Sequence, residues 1–305
     1  MEALDIRELQ YFVQVADLGN YSLAAEQLYI SQPALSKVVQ KLETELGYDL
    51  FYTDRRLQKL TPEGRELYRK SLRVIREFEE IGNLAKSASE QKIGLEGQIY
   101  LGFPPAGGSA YFCELIAGFT RRYPEIRISI KEESSYQIMA DIDAGMLDVG
   151  CALEPVPEGK YESTFFARDA SRLVVSSRHR LAGKRSVCLK DLEGEPFFLL
   201  GSDYVIFNSL RDACRREGFE PNVAQTLAQW DYIIQMVRLD QGVTFLPDSL
   251  LQHYHIPGVS VLDVEGFSVA EDLFLITGRD SYHSRRVDLL IDYAVRFMGR
   301  TEGEA

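Results

Sequence analysis

The sequence predicts an α/β chain in three parts. A tri-helical domain closed by a β-hairpin spans residues 1–60, one long helix spans 61–92, and a domain of two α/β subdomains spans 93–305. Three observations predict this. Caps, turn residues and apolar spacing divide the first sixty residues into three short helices and a hairpin. From Leu60 to Ala88, apolar residues recur every seven positions. Beyond Gly97 short apolar strands alternate with helical stretches, which is the pattern of a parallel sheet with helices on its faces. A chain of 305 residues, 45% hydrophobic and 26% charged, has enough apolar surface for such cores.

The first helix opens at Asp5, with Glu8 three residues on, as in a capping box. Ile6, Leu9, Phe12, Val13 and Ala16 give it one apolar face, and Gly19 suits the left-handed position after it. Ser22 is expected to cap a second helix over Leu23 to Leu28, and Tyr29-Ile30 to form the turn. Ser31 caps the third helix, with Pro33 tolerated in its first turn. On that helix Leu35, Val38, Val39, Leu42 and Leu46 point inward. Gln32, Ser36, Lys37 and Gln40 point outward, and Gly47 ends it.

The outward face carries the chemistry. In a helix-turn-helix the second of the paired helices enters the major groove by its N-terminal end. Gln pairs with adenine there, Lys with guanine or phosphate, and Ser with several partners. Any one of these residues alone reads equally as a solvated polar face. Three helices with short connections and well-placed caps favour DNA. The hairpin Leu50 to Leu60 then reads as a wing, with Arg55, Arg56 and Lys59 within reach of phosphate or the minor groove.

Thr61 caps the long helix and Pro62 takes its first position. Leu60, Leu67, Val74, Ile81 and Ala88 form one row, and Gly64, Ser71, Phe78 and Ala85 a second. Two rows of period seven predict a coiled-coil dimer; the alternative is a helix packed on its own domain. Gln91 to Gly97 reads as a hinge.

In the C-terminal domain Ile99–Phe103, Ile126–Ile130 and Leu147–Leu153 read as strands. Pro104–Ser109 reads as a turn before a helix over Ala110–Tyr123. Ser134 or Ser135 opens a helix ending at Gly145. A second set follows: strands at Arg172–Ser176, Pro196–Leu200 and Val243–Leu246, with helices at Ser209–Gly218 and about Gln229–Leu239. Asp272–Thr277 and Ser284–Met298 close the fold. Subdomain I is placed at about 98–166 and 269–300 and subdomain II at about 167–268, an arrangement that resembles the periplasmic-binding-protein fold. The chain would cross near Phe166 and return near Val269.

Ligands in open α/β sheets bind beyond the carboxyl ends of strands, at helix N-termini. Four places satisfy that rule. They are the turn holding Pro105, Gly107 and Ser109; the pair Ser134-Ser135; the pair Gly201-Ser202; and Thr244 with Phe245, Thr226 lying nearby. Each Ser or Thr alone reads equally as a plain helix cap, and Phe245 equally as core. Amides and hydroxyls at helix starts favour an anionic group, so a carboxylate-bearing metabolite is the expected ligand.

The stretch A-A-E-Q-L-Y-I-S-Q-P-A-L-S-K-V-V-Q-K-L-E-T-E-L-G-Y-D-L-F, Ala24 to Phe51, followed by L-T-P-E-G at Leu60 to Gly64, resembles the LysR-type transcriptional regulators. D-A-G-M-L-D-V-G at Asp143 to Gly150 and Q-G-V-T-F-L-P at Gln241 to Pro247 extend the likeness more weakly. The resemblance implies a winged helix-turn-helix regulator that binds operator DNA as an oligomer, a dimer or tetramer, and senses a small-molecule effector. It implies Ser31, Gln32, Pro33, Ser36 and Lys37 at the DNA, and the four places above at the effector. Two positions depart from the family pattern, which has Arg where Lys37 and Thr53 stand. Lys keeps the charge but loses the planar fork, and the wing's charge moves to Arg55 or Arg56.

Composition excludes other classes. The net charge of −12 argues against a polycation that coats nucleic acid, although a local basic edge is enough for a DNA reader. No run approaches the ~20 apolar residues of a membrane span. Met1 to Glu8 is acidic and lacks the apolar core of a signal peptide, so a cytoplasmic location is expected. Cys113, Cys151, Cys188 and Cys214 form no C-x-x-C pair and are expected as free thiols. His253 and His255 lack a neighbouring Cys or carboxylate to complete a metal set. Neither a phosphate loop, G-x-G-x-x-G nor H-E-x-x-H occurs. No cofactor, metal or catalytic residue is expected, and the chain is not expected to be an enzyme.

Overall fold

The structure, a computed structural model, describes residues 4–55, 57–87, 96–153, 155–269, 272–279 and 284–301. Arg56, Ala88 and the Gln91-to-Gly94 part of the expected hinge lie outside the described residues. The chain divides into two compact units, Met1–Gly97 with Asp143–Met146, and Gln98–Ile142 with Leu147–Ala305.

In the first unit α1 (Ile6–Leu18), α2 (Tyr21–Gln27) and α3 (Gln32–Leu46) surround a core of Phe12, Val15, Ala24, Leu35, Val39, Leu42 and Leu50. Asp5 caps α1 in a full capping box, and Gly19 ends it with φ +59°. The cap of α2 is Asn20, not Ser22: its Oδ1 accepts from the amides of Ser22 and Leu23 at 2.8 and 3.2 Å. Both residue types cap helices well, and the turn from Gly19 leaves Asn20 in the extended conformation a cap requires. Strands β1 (Phe51–Asp54) and β2 (Leu57–Leu60) pair antiparallel as the wing, Asp54 opposite Leu57.

Thr61 Oγ1 accepts from the amide of Gly64 at 2.9 Å and opens α4 (Pro62–Ser87). A Cβ on Gly64 would stand 2.2 Å from the carbonyl oxygen of Leu50, so only glycine lets the helix start against the wing. The two heptad rows then part company. Gly64 and Ser71 are buried, and Leu67, Tyr68, Leu72 and Ile75 pack against the tri-helical core. The Tyr68 hydroxyl donates to Asp17 on α1. The first half of the helix therefore belongs to its own domain. Among the described side chains of α4, Val74, Phe78 and Ile81, 46%, 55% and 65% exposed, present an apolar stripe to solvent.

In the second unit β3 (Gly97–Phe103), β4 (Ile126–Glu132), β5 (Val149–Leu153), β6 (Tyr161–Ala167) and β13 (Leu273–Gly278) make a sheet of order β4-β3-β5-β13-β6. β3 and β5 pair parallel, as the alternation of strands and helices predicts. The chain returns along β13, antiparallel to both neighbours, and β6 is an additional strand. A second sheet runs β11-β7-β12-β8, with β7 (Ser171–Ser176), β8 (Ser186–Cys188), β11 (Thr244–Pro247) and β12 (Val259–Glu265). Strands β9 (Pro196–Leu200) and β10 (Asn222–Leu227) pair parallel, and Phe197 bridges to Val243.

Helices α7 (Ser135–Asp143), α9 (Trp230–Arg238), α10 (Asp248–Tyr254) and α11 (Arg285–Thr301) cover these sheets. Two helix starts differ from expectation. Pro104–Ser109 is not an open turn: α5 (Pro105–Gly107) begins at once and passes through a π-helical segment, Gly108–Phe112, into α6 (Cys113–Arg122). Pro105 sets φ for the first helical position. Likewise α8 (Val205–Arg216) starts four residues before Ser209. Ile206, Leu210, Ala213 and Cys214 form its buried face, although Val-Ile-Phe alone reads as strand.

Candidate functional site

Two constellations stand out, one in each unit. In the first, Ser31 caps α3 through an Oγ that accepts from the amide of Ala34. Gln32, Pro33, Lys37 and Gln40 are exposed on that helix and Ser36 is half-buried. Leu35, Val39 and Leu42 hold the opposite face in the core, so packing dictates which side chains face outward. Arg55 sits exposed at the tip of the wing with φ +47°, as a two-residue hairpin loop demands. Lys59 is tied to Asp54 at 2.6 Å, and Lys41 lies between Glu8 and Glu45 at 2.9 and 3.6 Å. On the reading helix and wing, Lys37 and Arg55 are the cations without an ion pair among the described residues. Lys37 has two exposed neighbours one helical turn either way, Gln40 and Pro33, which makes a polar head of short reach rather than a basic ridge.

In the second unit a cleft of about 500 Å³, counting its open mouth, is lined by Pro104, Ala106, Leu153, Leu200, Val205 and Leu273, together with Gly107, Tyr204, Ile206, Phe245, Pro247 and Asp169. Only about 30 Å³ of it has room for a water-sized molecule. The walls are apolar, and among the described residues Asp169 is the charged one that lines them. It lies where the chain passes from β6 to β7, beside the returning segment: the amide of Ser171 donates to the carbonyl of Val269 at 3.0 Å. Its Oδ1 accepts from the amides of Ala170 and Ser249 at 2.8 and 3.3 Å. Its Oδ2 accepts from the Tyr111 hydroxyl at 3.2 Å and from Ser249 Oγ. Burial, with the Asp169 charge beside it, drives the Tyr111 phenol well above its usual range. The Tyr204 phenol is pushed up to about 12, first by burial, then by the carboxylates of Asp203, Glu133 and Glu132.

Of the residues expected at a ligand, Gly107 and Phe245 line this cleft. Pro105 starts α5 between two lining residues, and the backbone of Ser109 lies in the π-helical segment. Gly201 and Ser202 form the turn before Tyr204, whose amide donates to the Gly201 carbonyl at 3.0 Å. Ser134 is buried and accepts from the amide of Gln137 as the cap of α7; Ser135 Oγ accepts from the amide of Leu153 at 3.0 Å. Thr226 is exposed on β10, which forms the edge of its pair. Thr244 is fully buried with an unpaired hydroxyl, and along β11 it alternates with the lining residues Phe245 and Pro247. Asp169, Tyr111 and Ser249 escaped the sequence reading because only folding brings them together. The charged pair Arg168-Asp169, directly after the apolar Phe165 to Ala167, was the available signal. Among the described residues no group of His, Cys, Asp and Glu could hold a metal ion, and no helix is long and apolar enough to cross a membrane.

A helix-turn-helix with a wing, joined through a long helix to an α/β domain with a narrow apolar cleft, defines a class of DNA-binding regulators with a sensor domain. Residues 6–65 match the family model described as bacterial regulatory helix-turn-helix protein, lysR family, and residues 92–299 match the LysR substrate binding domain. The chain is 31% identical over 281 residues to the uncharacterized HTH-type transcriptional regulator YwbI of Bacillus subtilis, with 92% of each chain covered. It resembles the crystal structure of HinK, a LysR family transcriptional regulator from Pseudomonas aeruginosa, at 26% identity, covering 98% of this chain and 100% of that one with a TM-score of 0.58. Full-length CbnR complexed with its target DNA matches at 20% identity, 97% and 99% coverage and a TM-score of 0.69. The chain belongs to the LysR family of transcriptional regulators. It is a DNA-binding transcriptional regulator with an effector-binding domain.

Proposed function

We propose that the protein is a cytoplasmic, non-catalytic regulator that reads operator DNA as a dimer or higher oligomer and is switched by a monocarboxylate with a compact apolar body. At the DNA we assign Ser31, Gln32, Pro33, Ser36, Lys37 and Gln40 on the reading helix, and Arg55 and Arg56 in the wing. CbnR, of like fold, has been solved with its target DNA. At the effector we assign Gly107 and Phe245 as cleft walls, with Pro105, Ser109, Ser134, Ser135, Gly201, Ser202, Thr226 and Thr244 around them.

The composition of the cleft carries the effector class. Its apolar walls favour an apolar body. The 12-residue α8 opens at the cleft without a side-chain cap, and first-turn amides of a helix accept an anionic oxygen. Among the described residues no Arg, Lys or His lines the cleft, and Asp169 makes its four hydrogen bonds within the protein. The Asp169 carboxylate in the wall, with no cation beside it among the described lining residues, disfavours a second or third ligand charge. Effector binding biases the two sheets between two arrangements, and the linker helix passes the change to the DNA-reading units.

Thermal unfolding of the full chain against panels of aromatic and branched monoacids, and of di- and tricarboxylates, tests the reading. A monoacid at 100 times its dissociation constant stabilises by about 2.7 kcal/mol. Stabilisation by di- or tricarboxylates alone would overturn the effector class. Failure to retard DNA from upstream of its own gene at moderate salt would overturn operator binding.

A further inference from the structure

The turn between α2 and α3 contains a residue that its own fold does not need. Leu28 closes α2, the amide of Ile30 donates back to the carbonyl of Ala25 at 3.0 Å, and that of Tyr29 to Glu26 at 3.2 Å. This pair of bonds is the Schellman ending of a helix, in which the residue after the cap turns left-handed and is usually glycine. Here that residue is Tyr29, at φ +55°. A bulky side chain resists that conformation, and strained positions of this kind cluster at binding sites. The ring recovers nothing by packing, since Tyr29 is 96% exposed, more than any other large hydrophobic residue described. Glycine would suit the fold better, and glycine ends both α1 and α3.

Its place in the chain says what it meets. Tyr29 stands two residues ahead of Ser31, the cap of the reading helix. A reading helix enters the major groove by that end, so the residue before its cap lies at the groove edge, along the sugar-phosphate chain. The domain is also poor in cations for that task. Residues 1–60 hold six Lys and Arg against nine Asp and Glu, and Lys41 and Lys59 are engaged with carboxylates. A phenol is a neutral donor suited to a phosphate oxygen.

We propose that Tyr29 donates its hydroxyl to a DNA phosphate beside the reading helix and is a binding residue of the DNA interface. The assignment rests on the DNA-reading function above.

The test uses the full-length protein, a fluorescent duplex from upstream of its gene, and thermal unfolding of the same samples. Tyr29→Gly melts at or above the wild type yet binds about tenfold more weakly, the worth of one hydrogen bond to a charged group. Tyr29→Phe loses as much. The loss is the same on unrelated duplex, because a phosphate contact carries no sequence information. The slope of log affinity against log salt is unchanged in both variants, whereas Lys37→Ala, which removes one cation from each protomer of the dimer, lowers its magnitude by about two. Wild-type affinity in either tyrosine variant, or a lower melting temperature for Tyr29→Gly, overturns the proposal and leaves the Lys37-dependent reading standing. Absence of wild-type binding overturns both.

Discussion

At the scale of single residues the reading head was legible because caps and buried positions leave few choices. Once Leu35, Val39 and Leu42 face the core, Gln32, Lys37 and Gln40 face outward by helical geometry. The cap of α2 was not legible, since Asn20 and Ser22 are both good caps and only the direction of the chain after Gly19 separates them. Tyr21, next to Asn20, has a pH consequence. Burial, aided by the charge of Glu43, pushes its phenol from 10.0 up to about 12. The folded state therefore holds the proton more tightly than the unfolded chain. The stabilisation is complete below pH 10 and is lost as the pH rises toward 12. Alkaline unfolding of the DNA-binding unit, followed by circular dichroism, should begin above pH 10 and shift upward in Tyr21→Phe. The same onset in both proteins would remove Tyr21 from the account.

At the scale of elements the long helix shows what a period of seven can and cannot say. Such a row identifies a buried stripe but not the surface that covers it. Here Leu67 and Ser71 are covered by the protein's own tri-helical core, and the free stripe begins at Val74. Exposed Phe78 and Ile81 are the places where a second helix would gain most from burial, about 1.5–3 kcal/mol for each side chain. Phe78→Ser with Ile81→Ser should therefore lower the molar mass measured by light scattering at micromolar concentration, with helix content kept. An unchanged mass would place the oligomer contact elsewhere. Strands β6 and β12 were invisible for a related reason. Each has exposed positions and a sequence that alternates poorly, and each takes its place from strands distant in the chain. The uncapped start of α8 was also obscured, because its first residues are β-branched or aromatic.

At the scale of the whole molecule a net charge of −12 has to coexist with binding to a polyanion. The sequence made that look like a question of local patches, and the structure narrows the patch further. With Lys41 and Lys59 engaged, Lys37 and Arg55 remain on the reading helix and wing among the described residues. With Arg56 of the proposed wing contact added, two protomers on two half-sites would neutralise about six phosphates, and log affinity should fall with log salt at a slope of about −5.4. Anisotropy titrations over a range of potassium chloride read that slope directly. A value near −10 would mean that many more cations reach the backbone than this arrangement provides. On the proposed interface specificity would rest on Gln32, Ser36 and Gln40, since hydrogen bonds to base edges release no counterions.

The narrow cleft has a kinetic side. A cleft this narrow admits an organic acid only when its lining, Tyr204, Phe245 and Gly107 included, moves apart. Entry is then gated. At low ligand the observed binding rate rises with concentration, and at high ligand it levels off at the rate of opening. Stopped-flow traces with the single tryptophan, Trp230, as reporter would show that plateau, and its height would measure how often the unliganded sensor opens by itself.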